Sequence, residues 1–147
     1  MTKGKKRAAF TGFGVVLLGV LAFSIYFFLT FRTVVVSGES MEPTFRSGQR
    51  LLVSKAYWLV GPIKEKDIVV VQGEKPTDYM IKRVYKLSGG IVDWANAPVN
   101  WAITDGEYRV PEGQLYILGD NREVSEDSRR FGPIRLDQVI GKVVVRR

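Results

Sequence analysis

The chain has 147 residues, and with an apolar N-terminal run set aside about 115 remain, enough for one small folded domain and not two. Lys and Arg exceed Asp and Glu by 7, but Lys3, Lys5, Lys6 and Arg7 carry four of those charges at the extreme N-terminus; no basic stripe with interleaved aromatics follows, so nucleic-acid binding is not expected. The sequence has no cysteine and no histidine, which excludes disulfides, a Cys nucleophile, a Ser-His-Asp triad, and zinc or haem sites built on those side chains.

Ala8 to Phe31 is a run of 24 residues without a charge, against the roughly 20 that a helix needs to cross a bilayer. A cleavable signal peptide has an apolar region of about 7 to 15 residues and a small-residue cleavage site. Here Tyr26, Phe27, Phe28, Phe31 and Arg32 close the run, so an uncleaved transmembrane anchor is expected. Four basic residues precede the run and only Arg32 follows closely, which places residues 1–7 in the cytoplasm and residues 32–147 outside it.

Beyond Arg32 the pattern changes to short β-type runs separated by Gly, Pro, Ser and Asp. Strands are expected over Thr33–Val36, Arg50–Lys55, Asp67–Gln72, Met80–Leu87, Ile91–Trp94, Tyr108–Val110, Gln114–Leu118 and Val139–Val145, with at most a short helix around Met41–Phe45 or Leu136–Val139. The domain is therefore read as mainly β. Asp67-Ile68-Val69-Val70-Val71 reads as a strand covered on both faces.

Three stretches carry candidate chemistry. The first, Ser37-Gly38-Glu39-Ser40-Met41-Glu42-Pro43-Thr44, is turn-prone and holds two serines. In the second, side chains alternate along the strand and set Lys82 between Met80 and Val84 on one face. Either Lys82 is desolvated there, which lowers its proton affinity toward the range of a base, or it is a solvated lysine whose stem alone packs. The third, Gly119 to Pro133, crowds Asp120, Arg122, Ser125, Asp127 and Arg129 into one polar loop, either a surface connection or a platform that orients other groups.

These stretches, in this order after an N-terminal span, resemble the bacterial type I signal peptidases, the Ser-Lys membrane proteases, in the short single-span form of Gram-positive bacteria. Ser40 to Thr44 is similar to the family's nucleophile motif and Asp67 to Val71 to its next strand motif. Tyr79-Met80-Ile81-Lys82-Arg83-Val84 is similar to its lysine motif, and Gly119 to Gly132 to its Gly-Asp-Asn-Arg and Asp-Ser-Arg motif. The resemblance implies a compact antiparallel β-domain of the signal peptidase/LexA-like type after a transmembrane helix. It also implies a serine endopeptidase that removes signal peptides from exported preproteins after A-x-A-like sites.

Carried over by position, the resemblance makes Ser40 the nucleophile and Lys82 the general base. Ser125 would hydrogen-bond and orient Lys82, while Asp127 and Arg129, with Arg83, hold the last loop against the site. A serine hydroxyl needs a neighbour to take its proton, and without histidine a neutral lysine is a sensible acceptor. No cofactor or metal is expected. The partners implied are secretory preproteins, the lipid bilayer and, as a candidate, the secretion translocon.

The chain departs from the family at several positions. Gly38 stands where some members carry a serine that donates to the oxyanion, leaving the Ser40 backbone N–H with another backbone donor, Ser37 or a water. Lys66 occupies a position usually held by glycine, and Ser88-Gly89-Gly90 replaces Pro-Gly-Asp. The competing functional readings are a non-catalytic assembly factor or chaperone on the same fold, and a generic anchored β-domain. Ala95-Asn96-Ala97 matches the A-x-A pattern without a preceding apolar segment and is read as coincidence.

Overall fold

The computed structural model describes residues 3–73, 75 and 77–146, with side chains described from residue 12 to residue 144. The chain divides into two compact units, Met1–Arg32 and Thr33–Arg147.

The first unit is the helix α1 (Lys3–Thr30). Within it Gly12–Thr30 has a mean hydropathy of 2.3 and no buried residues, and its 19 residues are long and apolar enough to cross a bilayer.

After α1 come strands β1 (Phe31–Val35), β2 (Arg50–Ser54), β3 (Ile68–Gln72), β4 (Tyr79–Lys86), β5 (Ile91–Val92), β6 (Tyr108–Arg109), β7 (Gln114–Leu118), β8 (Ile134–Arg135) and β9 (Val139–Arg146). Seven of them form one sheet in the order β1-β2-β9-β3-β4-β7-β8, and β5 pairs with β6. The pairs β2/β9, β9/β3, β3/β4, β4/β7 and β7/β8 are all antiparallel. All eight expected strands form, with ends shifted by a few residues. β8 was not expected, because two residues after Gly132-Pro133 carry no periodicity.

The continuous apolar run of β3 is explained by packing on both faces. Val70 joins Val36, Met41, Phe45, Leu51, Val53, Ile68 and Ile81 in one core cluster. Val69 and Val71 join Val84, Leu115, Ile117, Ile134 and Val139 in a second. Alternation along one strand thus feeds two cores, and each fully buried Val contributes about 1.5–3 kcal/mol.

The helices differ from expectation. Met41–Phe45 is a turn and not a helix, with one α-type bond from Phe45 N to Met41 O at 2.9 Å. Leu136–Gln138, by contrast, forms the short helix expected there, as a single 3-10 turn. Two single-turn helices arise where no periodic signal exists, α2 (Tyr57–Val60) and α3 (Ser128–Phe131).

Candidate active site

Ser40 lies in the turn between β1 and β2, and its neighbours pin it. Met41 and Phe45 are each 1% exposed and anchor the turn in the first core cluster, leaving Ser40 half-buried at its edge. The Ser40 carbonyl accepts from Asn121 N at 3.0 Å, which ties the turn to the segment after β7. Among the described residues the Ser40 backbone N–H makes no hydrogen bond.

Lys82 sits in β4 opposite Val69 of β3, on the face that holds Val84 in the second core. Only 4% of it is exposed, and its Nζ lies 2.8 Å from Ser40 Oγ. The two readings of Lys82 open at the level of sequence therefore separate: this lysine is desolvated. Burial pushes its ammonium below the ordinary value against the opposing pull of the Asp127 and Glu126 carboxylates, and Arg129 adds to the lowering.

The loop after β7 closes around this pair. Asp127 is fully buried, and its Oδ2 accepts from Gly119 N at 3.0 Å and from Arg129 Nη2 at 3.0 Å. Its Oδ1 accepts from Arg129 Nε at 2.9 Å and from Arg129 N at 3.2 Å, capping α3. Burial raises the Asp127 pKa, but these bonds outweigh it and hold the carboxyl below its usual value. Arg129 also donates to Arg122 O at 2.8 Å, and Ser128 Oγ accepts from Ile117 N at 2.9 Å.

Ser125 is buried beside this cluster, but the expected hydrogen bond to Lys82 is not formed. Its Oγ meets no partner with hydrogen-bond geometry, although it lies close enough to Asp127 to help hold that carboxyl down. Its nearest constraint is Gly119: a Cβ on that residue would fall 2.1 Å from Ser125 Oγ and 2.6 Å from Ser40 O. Only a residue without a side chain lets the end of β7 pass between the two serines.

Arg83 meets the last loop through Asp120. It does not join Asp127 and Arg129 but forms a fork with Asp120, through Nε to Oδ1 at 2.8 Å and Nη2 to Oδ2 at 2.6 Å. It also donates to Lys66 O at 2.9 Å and reaches Thr44 Oγ1 at 3.5 Å. Arg83 thus joins the Ser40 turn, the strand of Lys82 and the loop after β7.

Gly38 has φ +81°, a region that side chains rarely enter, with open space where a Cβ would stand. The missing side chain is thus matched to the backbone. Ser37 is exposed and lines the cleft.

That cleft has two lobes sharing Ser37, Ser40, Met80 and Lys82. One, about 360 Å³, is walled by Val36, Met41, Tyr79 and Ile81. The other, about 480 Å³, is walled by Gly38, Glu39, Val124 and Glu126. Sequence reasoning did not single out Gly119, Asn121, Thr44 or Tyr79. Gly119 and Asn121 stand in the motif of the last loop without a role of their own, and their roles come from contacts with Ser40, about 80 residues away.

The family model for signal peptidases, peptidase S26, matches residues 8–102 and 96–147. The chain is 36% identical to signal peptidase I of Bacillus caldolyticus, with 77% of each chain covered. It is 32% identical to signal peptidase IB of Staphylococcus aureus, covering 76% of this chain and 74% of that protein. A crystal structure of a signal peptidase I from Enterococcus faecalis V583 aligns over 56% of this chain and 97% of its own, at 22% identity and a TM-score of 0.45. With a histidine-free Ser–Lys pair in its cleft and a family match over most of its length, this chain belongs to the signal peptidase family, peptidase S26.

Proposed function

We propose that Ser40 and Lys82 are the catalytic pair of a membrane-anchored serine endopeptidase that removes signal peptides from exported preproteins after A-x-A-like sites. The observation that carries this reading is the 2.8 Å contact between Ser40 Oγ and a lysine that is only 4% exposed, in a chain without histidine.

With Lys82 neutral, the Ser40 O–H donates to Nζ and gives up its proton as Oγ attacks the carbonyl carbon on the acyl side of the scissile bond. The developing oxyanion takes a hydrogen bond from the unengaged Ser40 N–H. Lys82 then returns the proton to the leaving amine, and in the second half-reaction it takes a proton from the attacking water and passes it to Ser40 Oγ as the acyl group departs. Asp127, Arg129 and Ser125 support the walls, and Arg83 holds the Ser40 turn and the last loop in register.

Small side chains before the scissile bond suit the lobe walled by Val36, Met41 and Ile81. The apolar span Gly12–Thr30 anchors the chain in the bilayer, and the four basic residues before it support a cytoplasmic N-terminus. The test is cleavage of a preprotein by the full-length chain in detergent micelles. Ser40→Ala and Lys82→Met, which keeps the stem and loses the amine, each lower turnover by about 10³-fold or more. Either variant matching the parent overturns the assignment.

A further inference from the structure

β1 lies at the edge of the seven-stranded sheet, so one row of its backbone groups faces away from β2. Val36 turns inward, donating from N to Gln49 O at 2.8 Å and accepting from Gly48 N at 2.8 Å. By strand alternation its neighbours Val35 and Ser37 present their N–H and C=O to the open edge. The two fare differently. A single hydroxyl takes both groups of Val35: Tyr79 Oη donates to Val35 O at 2.7 Å and accepts from Val35 N at 3.2 Å. Among the described residues, Ser37 N–H and C=O have no hydrogen-bond partner.

Tyr79 bridges the two walls of the smaller lobe, since Val36 and Ser37 line one side and Tyr79 to Lys82 the other. Ser40 and Lys82, in contact with each other, line the same lobe. From Lys82 to Tyr79 is three strand residues, about 10 Å at 3.3 Å each, and an extended peptide of three residues has the same length. An extended peptide that pairs with a free sheet edge gains its affinity from such outward backbone groups. Here the run of free groups stops at Val35.

We propose that Tyr79 is a specificity-determining residue that ends the substrate-binding edge at Val35, so that about three residues on the acyl side of the scissile bond lie extended against the enzyme and the chain before them turns away. This rests on the function proposed above. It accounts for a recognition element as short as A-x-A by the length of edge left open.

The test measures binding and needs no turnover. Fluorescent peptides with either three or five residues before an A-x-A cleavage point are titrated into full-length Ser40→Ala protein in detergent micelles and followed by anisotropy. With Tyr79 present, the two extra residues change Kd by less than about twofold. In Ser40→Ala/Tyr79→Phe, which keeps the ring and frees both groups of Val35, the longer peptide binds about fivefold or more tighter than the shorter, the gain expected of one net hydrogen bond. The same dependence on length in both proteins overturns the proposal. If neither peptide binds to either protein, the substrate reading falls, and this inference with it.

Discussion

Glu126 and Asp127 are neighbours in sequence, yet each meets its arginine in a different medium. Glu126 and Arg130 approach to 2.5 Å, with side chains 65% and 62% exposed. Asp127 and Arg129 stand at 2.9 Å, but Asp127 is fully buried and Arg129 21% exposed, and the carboxylate accepts four hydrogen bonds in all. The closer pair is the weaker one. Water and salt screen the exposed pair and solvate its partners when it breaks, whereas losing Arg129 or Gly119 N strands a charge where no solvent can replace them. The buried pair is also the one whose bonds reach Gly119, at the wall shared by Ser40 and Ser125.

The largest effect expected from this contrast is on stability. Asp127→Ala costs about 3–5 kcal/mol, because it leaves the Arg129 charge and the Gly119 N–H without their partner. Glu126→Ala costs less than about 0.5 kcal/mol. Urea unfolding of the full-length chain in detergent measures both, and equal losses would mean that burial does not set the strength of these pairs. The Asp127 carboxyl is held below its unfolded value, so its contribution is fully present above the unfolded pKa near 4 and is lost as pH falls through the lower folded value. The parent unfolds more readily as the pH drops below about 4, whereas Asp127→Asn, weaker at neutral pH, shows a flatter acid limb.

Gly119→Ala comes next. A methyl group 2.1 Å from Ser125 Oγ and 2.6 Å from Ser40 O forces the three segments apart, costing about 1–3 kcal/mol, and shifts Ser40 away from Lys82. Cleavage therefore falls by about 10²-fold while the folded β content seen by circular dichroism stays unchanged. Retained cleavage means that Gly119 serves only the strand end.

Lys66→Gly acts in the opposite direction. Lys66 holds φ +72°, the one non-glycine residue with positive φ among the described residues, supported by Lys66 N donating to Val84 O and by Arg83 at its carbonyl. Relief of a left-handed side-chain clash, offset by the added freedom of glycine in the unfolded chain, stabilises by about 0.5–1 kcal/mol. A raised unfolding midpoint checks it.

The smallest effect is electrostatic. Catalysis needs neutral Lys82, whose pKa burial lowers, so cleavage rises with pH as the ammonium loses its proton. Glu126 opposes that lowering even though its ion pair contributes little to stability. Glu126→Gln removes a charge that favours the ammonium, so the rising limb of the pH–rate profile moves to lower pH with no measurable change in unfolding. A limb that moves to higher pH reverses the assigned sign.

Much of the fold was legible because local patterns suffice for it. Alternation in Met80–Leu87, the apolar run at Val69–Val71 and the Gly-Pro breaks each restrict the backbone over a few residues. β8 and α2 were not legible, since two and four residues without caps have no periodicity, and their conformation is set by what they pack on. The site divides in the same way. Ser40, Lys82, Asp127 and Arg129 stood out from residue type, motif order and the lack of histidine. The fork between Arg83 and Asp120 could not be read, because strand alternation tells which face a side chain takes and not what waits on that face.

Residue types and their order establish the chemistry on offer: a serine in a chain without histidine and one apolar-flanked lysine, after a helix long enough to span a bilayer. That this lysine is dry and within 2.8 Å of Ser40 emerges from the folded domain alone. It alone showed that Ser125 is buried without a bond to Lys82 and that Tyr79 occupies the open edge of β1. The physical reason is that desolvation and hydrogen bonding depend on atoms within a few ångströms, and those atoms come from segments 40 or more residues apart. Local propensity is blind to them.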